Sequence, residues 1–204
     1  SLLAHFLPEW LTQLGWQDRM QPYLRATGWV ASDYFQALAR AECDLAICYW
    51  PVGRCDLDID TSACTYRVIG HERLIPMTGL KADGTPCAQL PGTRQQPVPW
   101  LAYPKRGLLG SAVKAHLARL PQSTCLTAQS ENLYAAGIKE LVLLGYGMSW
   151  LPERNVAAEL ANGTLVRAGD SRWDVPMELR LYRHQSQQHA ELDSLWSELT
   201  PPRS

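Results

Sequence analysis

Cations and a hydroxyl stand where predicted helices begin. In the stretch Tyr103-Pro104-Lys105-Arg106-Gly107, a predicted strand feeds a predicted helix, and two cations lie beside the first amides of that helix. Helix N-termini favour anions because their first N–H groups lack intrahelical partners. The pattern predicts an anion or polar-ligand site there, with solvated surface cations as the alternative reading. Ser1 and Leu2 open the first predicted helix, where Ser1 fits a ligand contact and a simple helix cap equally well.

Aromatic residues flank a third junction of this kind. Tyr134 and Ala135 begin a later predicted helix, and Tyr49 and Trp50 end a predicted strand that would face it. Such rings can form the wall of a ligand pocket, although single aromatic residues also serve as core or rim. Tyr146 is ambiguous in the same way. Its flanking glycines indicate a tight turn, since the sequence GYGMS lacks the third glycine of a dinucleotide fingerprint and the lysine of a P-loop.

Known catalytic patterns are absent from the sequence. It contains no G-x-S-x-G nucleophile elbow and no H-E-x-x-H motif, and the histidines at 5, 71, 116, 184 and 189 have no ligand spacing. The sequence therefore predicts neither an enzyme nor a metal or cofactor site.

The six cysteines, at 43, 48, 55, 64, 87 and 125, contain no C-x-x-C pair. Cys43 and Cys48 fall in a predicted buried strand and its approach, which favours reduced thiols that pack as small hydrophobes, and hence a cytoplasmic protein. Redox sensing is the alternative. It would need an exposed cysteine of low pKa, and Cys55 or Cys64 in the loop after that strand would be the place for it.

Composition limits the class of protein. Hydrophobic residues make up 46% of the 204, which is enough for a substantial core, and no apolar run is long enough to span a membrane. With 19 basic and 20 acidic residues, the net charge of −1 gives no cationic excess for a phosphate backbone. Any DNA contact would then lie outside this sequence.

Hydrophobic periodicity predicts alternating strands and helices. A wide apolar stripe from Leu2 to Leu14 predicts the first helix, and a strand is predicted over Pro22–Val30. Ser32 is the expected N-cap of a helix over 33–41, and Asp44–Tyr49 fits a parallel strand buried on both faces. A long strand is predicted over Tyr66–Thr78, and a turn-rich stretch follows it.

The alternation resumes after that stretch. Strands are predicted at 98–103, 124–132, 148–151, 164–167 and 177–183, and helices at 107–120, 135–144 and 153–161 and near the C-terminus. This order predicts an α/β fold of two Rossmann-like lobes with mainly parallel sheets and a central cleft. The expected first lobe is 1–78 plus 168–204, and the second is 79–167.

Several stretches resemble the effector domains of LysR-type transcription regulators. LVLLGYGMSWLP at 141–152 is similar to the family pattern V-x-x-G-x-G-[IV]-x-x-L-P, and Glu159–Val166 to the E-L-x-x-G-x-L-V that follows it. Leu2–Trp10 resembles the first family helix, Cys43–Ile47 its G-x-L-D-L-A-I strand, and Glu72–Met77 its E-x-L-x-x-V crossover. Within the family, SLLAHFLPEWL, LGYGMSWLPE and WDVPMELRLYR resemble the hypochlorite-responsive HypT subgroup. That subgroup is thought to sense oxidant through methionine, and Tyr134 stands where it would be expected to have one.

The resemblance implies a fold of the type 2 periplasmic-binding-protein kind and a small-molecule effector or oxidant as ligand. It also implies a homodimer through this domain, a tetramer at full length, and DNA contact through a winged helix-turn-helix upstream of Ser1. The first helix would pair with a later helix of the partner's second lobe. A secreted solute-binding protein for transport shares this fold and is the rival reading. An enzyme built on the same fold is the third.

Overall fold

The computed structural model describes residues 6–20, 30–53, 57–132, 134–187 and 189–199. Two expectations, the strand at Pro22–Val30 and the first residues of the first helix, lie at least partly outside these ranges. The described helices are α1 (Leu7–Leu14), α2 (Ala31–Ala39), α3 (Leu108–Arg119), α4 (Ala135–Leu143), α5 (Ala157–Asn162) and α6 (Ala190–Glu198). The described strands are β1 (Ala46–Pro51), β2 (Cys64–Thr78), β3 (Val98–Ala102), β4 (Leu126–Glu131), β5 (Met148–Pro152), β6 (Val166–Arg167) and β7 (Val175–His184).

Strand β2 runs through both lobes. The described strands form one sheet in the order β1-β7-β2-β5-β3-β4, with β6 beside the end of β2. Residues Cys64 to Leu74 of β2 pair with β7, and Leu74 to Thr78 pair with β5. With the predicted limits of the lobes, the first lobe would contain β1, β7, α1, α2 and α6, and the second would contain β3, β4, β5, α3, α4 and α5. The lobe limits at 78/79 and 167/168 remain a prediction.

The expectation of a parallel β1 is wrong. Strand β1 pairs antiparallel with β7, and β2 pairs antiparallel with β7, β5 and β6. Among the described strands, parallel pairing joins β3 to β4 and to β5. The apolar run in β1 has another origin: Ile47 packs with the α1 and α6 side of the sheet, while Cys48 and Trp50 pack with α2. Two covered faces give this pattern whichever way the strand runs.

Helix α2 starts at Ala31, two residues before the predicted start at 33, so the prediction of Ser32 as its N-cap is wrong. Ser32 lies inside the helix, and Val30 occupies the N-cap position. The Asp33 carboxylate accepts a hydrogen bond of 2.8 Å from the backbone N–H of Val30, so the helix start is stabilised from within its first turn.

The described part of the first apolar stripe belongs to the core. Phe6, Trp10 and Leu11 are buried against β7 and α6, while Glu9 and Thr12 face outward. The second lobe has its own core between β3, β5, α4 and the end of β2, whose members include Ile75, Leu101, Ile138, Val142 and Leu151. None of the described helices has the length and apolar character that crossing a membrane requires.

Candidate functional site: the cleft between the lobes

The carboxyl ends of the second-lobe strands meet the first lobe at one edge of the sheet. Because β3 and β5 are parallel, Tyr103 and Glu153, which follow them, lie at the same edge. Helices α3 and α4 begin a few residues after β3 and β4 end, so their N-termini lie near this edge as well. Ligands of open α/β sheets bind at such an edge, beyond the carboxyl ends of the strands.

Two tyrosine hydroxyls are buried at this edge. Neither the Tyr49 nor the Tyr103 hydroxyl has a hydrogen-bond partner among the described residues. Burial raises the pKa of Tyr103, and the nearby Tyr49 raises it further. Burial also raises the pKa of Tyr49, with a further increase from Glu72 and an opposing effect of Arg154. Both phenols therefore stay neutral at physiological pH, able to donate and accept hydrogen bonds.

Beside them lie two Glu-Arg dipeptides that pair reciprocally. Arg154 Nε lies 2.7 Å from Glu72 Oε2, and Arg73 donates to both carboxylate oxygens of Glu153 at 2.9 and 2.6 Å. Burial raises the pKa of Glu72, although a backbone hydrogen bond from Arg73 and the charge of Arg154 oppose that shift. A shallow cavity of about 420 Å³ lies here, lined by His71, Glu72, Arg73, Glu153, Arg154 and Ala157.

These four charged residues were not among the site residues predicted from the sequence. The signal was present: one Glu-Arg dipeptide lies within the long strand β2 and the other directly follows β5. Charged side chains on buried strands need partners of opposite charge. Two Glu-Arg dipeptides on neighbouring strands are therefore expected to form ion pairs with each other. The antiparallel register of β2 and β5, which sets Leu74 opposite Pro152, is what brings them together.

The start of α3 follows β3 after a short turn, in the order of elements that the sequence predicted. Lys105 and Pro104 lie in the turn before it, with Lys105 exposed, and Gly107 is an extended N-cap without a side-chain cap. Gly107 N–H donates to the Pro104 carbonyl at 2.9 Å. A Cβ at Gly110 would come within 2.3 Å of that carbonyl oxygen, so only glycine allows the turn to pack this closely on the helix.

The start of α4 faces the first lobe. Tyr134 precedes Ala135, its N–H donates to Asn132 Oδ1 at 2.9 Å, and its ring is half exposed. Burial raises the pKa of Tyr34 on α2, and Cys48 and Tyr134 raise it further.

Trp50 and Tyr146 occupy other surroundings. Trp50 packs edge-on to Phe35 at 6.1 Å between ring centroids and shares its buried cluster with Leu108, the first residue of α3. It therefore contributes to packing between the lobes, on the face of β1 opposite Tyr49. Tyr146 is 63% exposed, and Gly147 beside it lies against Pro99 at the other end of β3.

The structure thus brings Tyr49, Tyr103, Tyr134 and Ala135 to one edge, with Lys105 at its rim, and leaves Tyr146 apart. Ser1 and Leu2 lie outside the described residues.

Redox sensing by a cysteine was the alternative reading, with Cys55 and Cys64 as its two candidates, and the structure argues against Cys64. Burial raises the pKa of Cys64, and the charge of Asp60 raises it further, so its thiol has the opposite of the low pKa that redox sensing needs. Cys55 lies outside the described residues. The five described cysteines form no disulfide with one another, and no cluster of three potential metal ligands occurs in the described part of the chain.

Two α/β lobes joined through shared strands, with a polar cleft between them, define a domain of the type 2 periplasmic-binding-protein kind. The chain belongs to the LysR substrate binding domain family, whose pattern it matches over residues 2–201.

Three relatives illustrate the similarity. The chain is 27% identical to the HTH domain-truncated transcriptional regulator QseD of Escherichia coli O157:H7 over 104 residues. Those residues are 50% of this chain and 41% of QseD. The regulatory domain of HypT from Salmonella typhimurium in its apo-form has a TM-score of 0.77 at 19% identity, covering 98% of this chain and 89% of that one. DarR of Vibrio fischeri, solved in complex with DNA, has a TM-score of 0.71 at 23% identity, covering 97% and 64%. The chain thus spans about two fifths of the length of QseD.

Proposed function

We propose that the chain is the effector-sensing domain of a LysR-type transcription regulator, which binds a small molecule in the cleft between its lobes. The observation that carries this proposal is the pair of buried hydroxyls of Tyr49 and Tyr103, one from each lobe. A buried hydroxyl without a protein partner costs free energy, about 1–3 kcal/mol. Two such groups at the meeting edge of the lobes therefore favour a polar ligand that bonds to both.

The charges around the cleft favour a small polar or anionic ligand. The Glu72–Arg154 and Arg73–Glu153 pairs compensate each other, so Lys105 and the N-termini of α3 and α4 leave a positive balance. We propose Tyr49, Tyr103, Pro104, Lys105, Tyr134 and Ala135 as the described ligand contacts, with Ser1 and Leu2 as further contacts.

Sensing requires only that the ligand bind one arrangement of the lobes more tightly than another. Such differential affinity shifts the populations of the two arrangements. A tenfold difference in affinity corresponds to about 1.4 kcal/mol. No bond of the ligand needs to be made or broken, and we propose a non-enzymatic role.

Partners follow from the same proposal. We propose a homodimer through this domain, a tetramer of the whole regulator, DNA contact through a separate helix-turn-helix domain, and a cytoplasmic location. DarR, solved with DNA, and QseD, a transcriptional regulator, support this reading over a solute-binding protein for transport.

Oxidation of methionine is less well supported than ligand binding. Met77, Met148 and Met177 are at most 1% exposed, and Met20 is partly exposed. A thioether must reach the oxidant before it can react with it. The structure therefore favours a cleft ligand as the signal.

A thermal-shift screen of small carboxylates and amino acids tests the proposal. We expect at least one compound to raise the Tm of the wild type. The apparent affinity for that compound, obtained from the dependence of Tm on its concentration, should be at least tenfold weaker in Tyr49→Phe and in Tyr103→Phe. Tyr146→Phe is the matched control, because Tyr146 is exposed at the far end of β3, and should respond as the wild type does. Equal responses of all three variants would contradict the assignment of the site.

A further inference from the structure

We infer that Glu72, Arg73, Glu153 and Arg154 form a clasp that sets the angle between the lobes, and that the ligand which opens it carries a hydrogen-bond donor for Glu72. This inference rests on the proposed function, because it describes how occupation of that same cleft changes the lobe angle.

The clasp lies where the chain passes from one lobe to the other. Glu72 and Arg73 belong to the middle of β2, next to Leu74, which pairs with Val175 of β7 and with Pro152 of β5. Glu153 and Arg154 follow β5 in the second lobe. Each ion pair therefore joins the strand that crosses between the lobes to the end of a second-lobe strand.

Arg154 also reaches the first lobe directly. Its Nη2 donates to the His71 carbonyl at 2.8 Å, and its guanidinium lies 5.2 Å from the centroid of the Phe6 ring, next to the start of α1. A cation over an aromatic face is attracted by the ring's quadrupole. Arg154 thus touches the first lobe at Phe6, the crossing strand at Glu72 and His71, and its own second lobe through the backbone.

The second crossing between the lobes is tied to the clasp as well. Asp174, which precedes β7, is only 8% exposed and pairs with Arg167 at the end of β6. Arg73 Nη1 lies 3.7 Å from the other Asp174 carboxylate oxygen. Arg73 therefore links both passages of the chain, so a change of angle between the lobes must disturb these pairs.

Tyr49 connects the clasp to the cleft. Tyr49 lies opposite Leu179 of β7, and Leu179 lies opposite Gly70 of β2, so the Tyr49 ring shares a face of the sheet with Glu72, two residues beyond Gly70. A ligand bonded to the Tyr49 hydroxyl therefore lies on the same face as the Glu72 carboxylate. The Glu72 side chain is 3% exposed, and a buried carboxylate cannot lose its cation without another partner. A ligand N–H or O–H at this position supplies that partner, which releases Arg154 and with it the contact to Phe6. A ligand that offers only acceptors there leaves the clasp closed.

The distance between the lobes tests the clasp without any ligand. Fluorophores placed by unnatural amino acids at the exposed positions Gln13 on α1 and Glu140 on α4 avoid the native cysteines and report the distance by energy transfer. We expect Glu72→Gln and Arg154→Gln to shift or broaden this distance relative to the wild type. The partly exposed Arg73→Gln is a milder variant that keeps the test valid if the other two fail to fold.

A matched ion pair separates this role from a purely structural one. Lys139 Nζ and Glu159 Oε1 lie 2.5 Å apart and are mostly buried, and both belong to the second lobe. Lys139→Gln should lower the Tm but leave the energy transfer unchanged. If the clasp variants likewise lower the Tm with no change in energy transfer, the clasp assignment is wrong.

Matched ligands test the required donor. Glycolate and methoxyacetate differ in a hydroxyl donor against a methyl ether, and lactate and 2-methoxypropanoate differ in the same way; none of the four carries an N–H. We expect the donor members to raise the Tm and change the energy transfer, and the change to be lost in Arg154→Gln although the Tm still rises. A Tm shift with unchanged energy transfer overturns the inference and leaves the proposed function intact. Absence of any Tm shift counts against the proposed function. The energy transfer measured in the clasp variants without ligand then still tests whether the clasp sets the angle between the lobes.

Discussion

Trp16 and Glu198 lie 182 positions apart in the sequence, and the Trp16 indole N–H donates to the Glu198 carboxylate at 2.8 Å. Arg19 donates to the same carboxylate at 3.0 and 3.2 Å. Trp16 is fully buried, so this carboxylate holds the chain after α1 to the last described helix.

The Glu198 contact makes part of the stability depend on pH. The Trp16 hydrogen bond, followed by that of Arg19, holds the pKa of Glu198 below its ordinary value of 4.5. A lowered folded-state pKa contributes stability above the unfolded value, and this is lost as pH falls through the folded value. We expect Glu198→Gln to lower the free energy of unfolding more at pH 6 than at pH 3, measured by urea unfolding. Glu191→Gln, at an exposed position on the same helix, is the control and should show a smaller difference between the two pH values.

Gly110→Ala should strongly destabilise the protein. The new Cβ would lie 2.3 Å from the Pro104 carbonyl oxygen, which belongs to the backbone and cannot turn aside. We expect a loss of about 1–3 kcal/mol or more in the free energy of unfolding, as for other overpacked sites. Gly70→Ala is the comparison, because its Cβ would meet side-chain atoms of Phe6 and Leu179 at 3.2 and 3.3 Å, which can shift by tenths of an ångström. An equal or larger loss at Gly70 would contradict this reading.

Methionine oxidation should follow exposure. Limited hypochlorite treatment and peptide mass spectrometry should show sulfoxide at Met20 before Met77, Met148 or Met177, because those three are at most 1% exposed. Faster oxidation of Met148 or Met177 in the folded protein would instead indicate direct oxidant sensing.

The cleft hydroxyls should cost little stability to remove. Tyr103→Phe deletes a buried hydroxyl that has no described partner, so we expect the free energy of unfolding to stay within about 1 kcal/mol of the wild type or to rise. Tyr182→Phe is the matched case, since Arg180 Nη1 donates to its hydroxyl at 3.3 Å and the ring is 1% exposed. That variant should lose stability, by about 1 kcal/mol. Urea unfolding of both variants gives the comparison.

Periodicity predicted the elements of this fold better than their pairing. The long strand expected over Tyr66–Thr78 and the helix expected over 135–144 are confirmed within two residues, because their apolar periods are regular. The direction of β1 was not readable from its residues, since burial on both faces results from which helices cover the sheet. The N-cap of α2 was placed wrongly because Ser32 is a favourable cap residue type, whereas Asp33 stabilises an earlier helix start by accepting from the Val30 N–H.

The cleft was predictable only where single residues lie at strand ends. Tyr49, Tyr103 and Tyr134 could be selected because each ends a predicted strand or begins a predicted helix. The Glu-Arg dipeptides that contain Glu72 and Arg154 were a signal, but their pairing depends on the register between strands far apart in the chain; Arg73 and Glu153, for example, are 80 residues apart. That register is a tertiary property, set by the whole sheet.

Strand β2 hydrogen-bonds to β7 over its first part and to β5 and β6 over its last part. Neither lobe can unfold without breaking backbone hydrogen bonds of β2 that also support the other lobe. Heating should therefore produce a single cooperative unfolding transition. Cleavage in the turn-rich stretch after Thr78 should likewise leave a nicked but associated protein rather than two stable fragments. Because β2 belongs to both ladders, a rotation of one lobe must bend the strand that also supports the other.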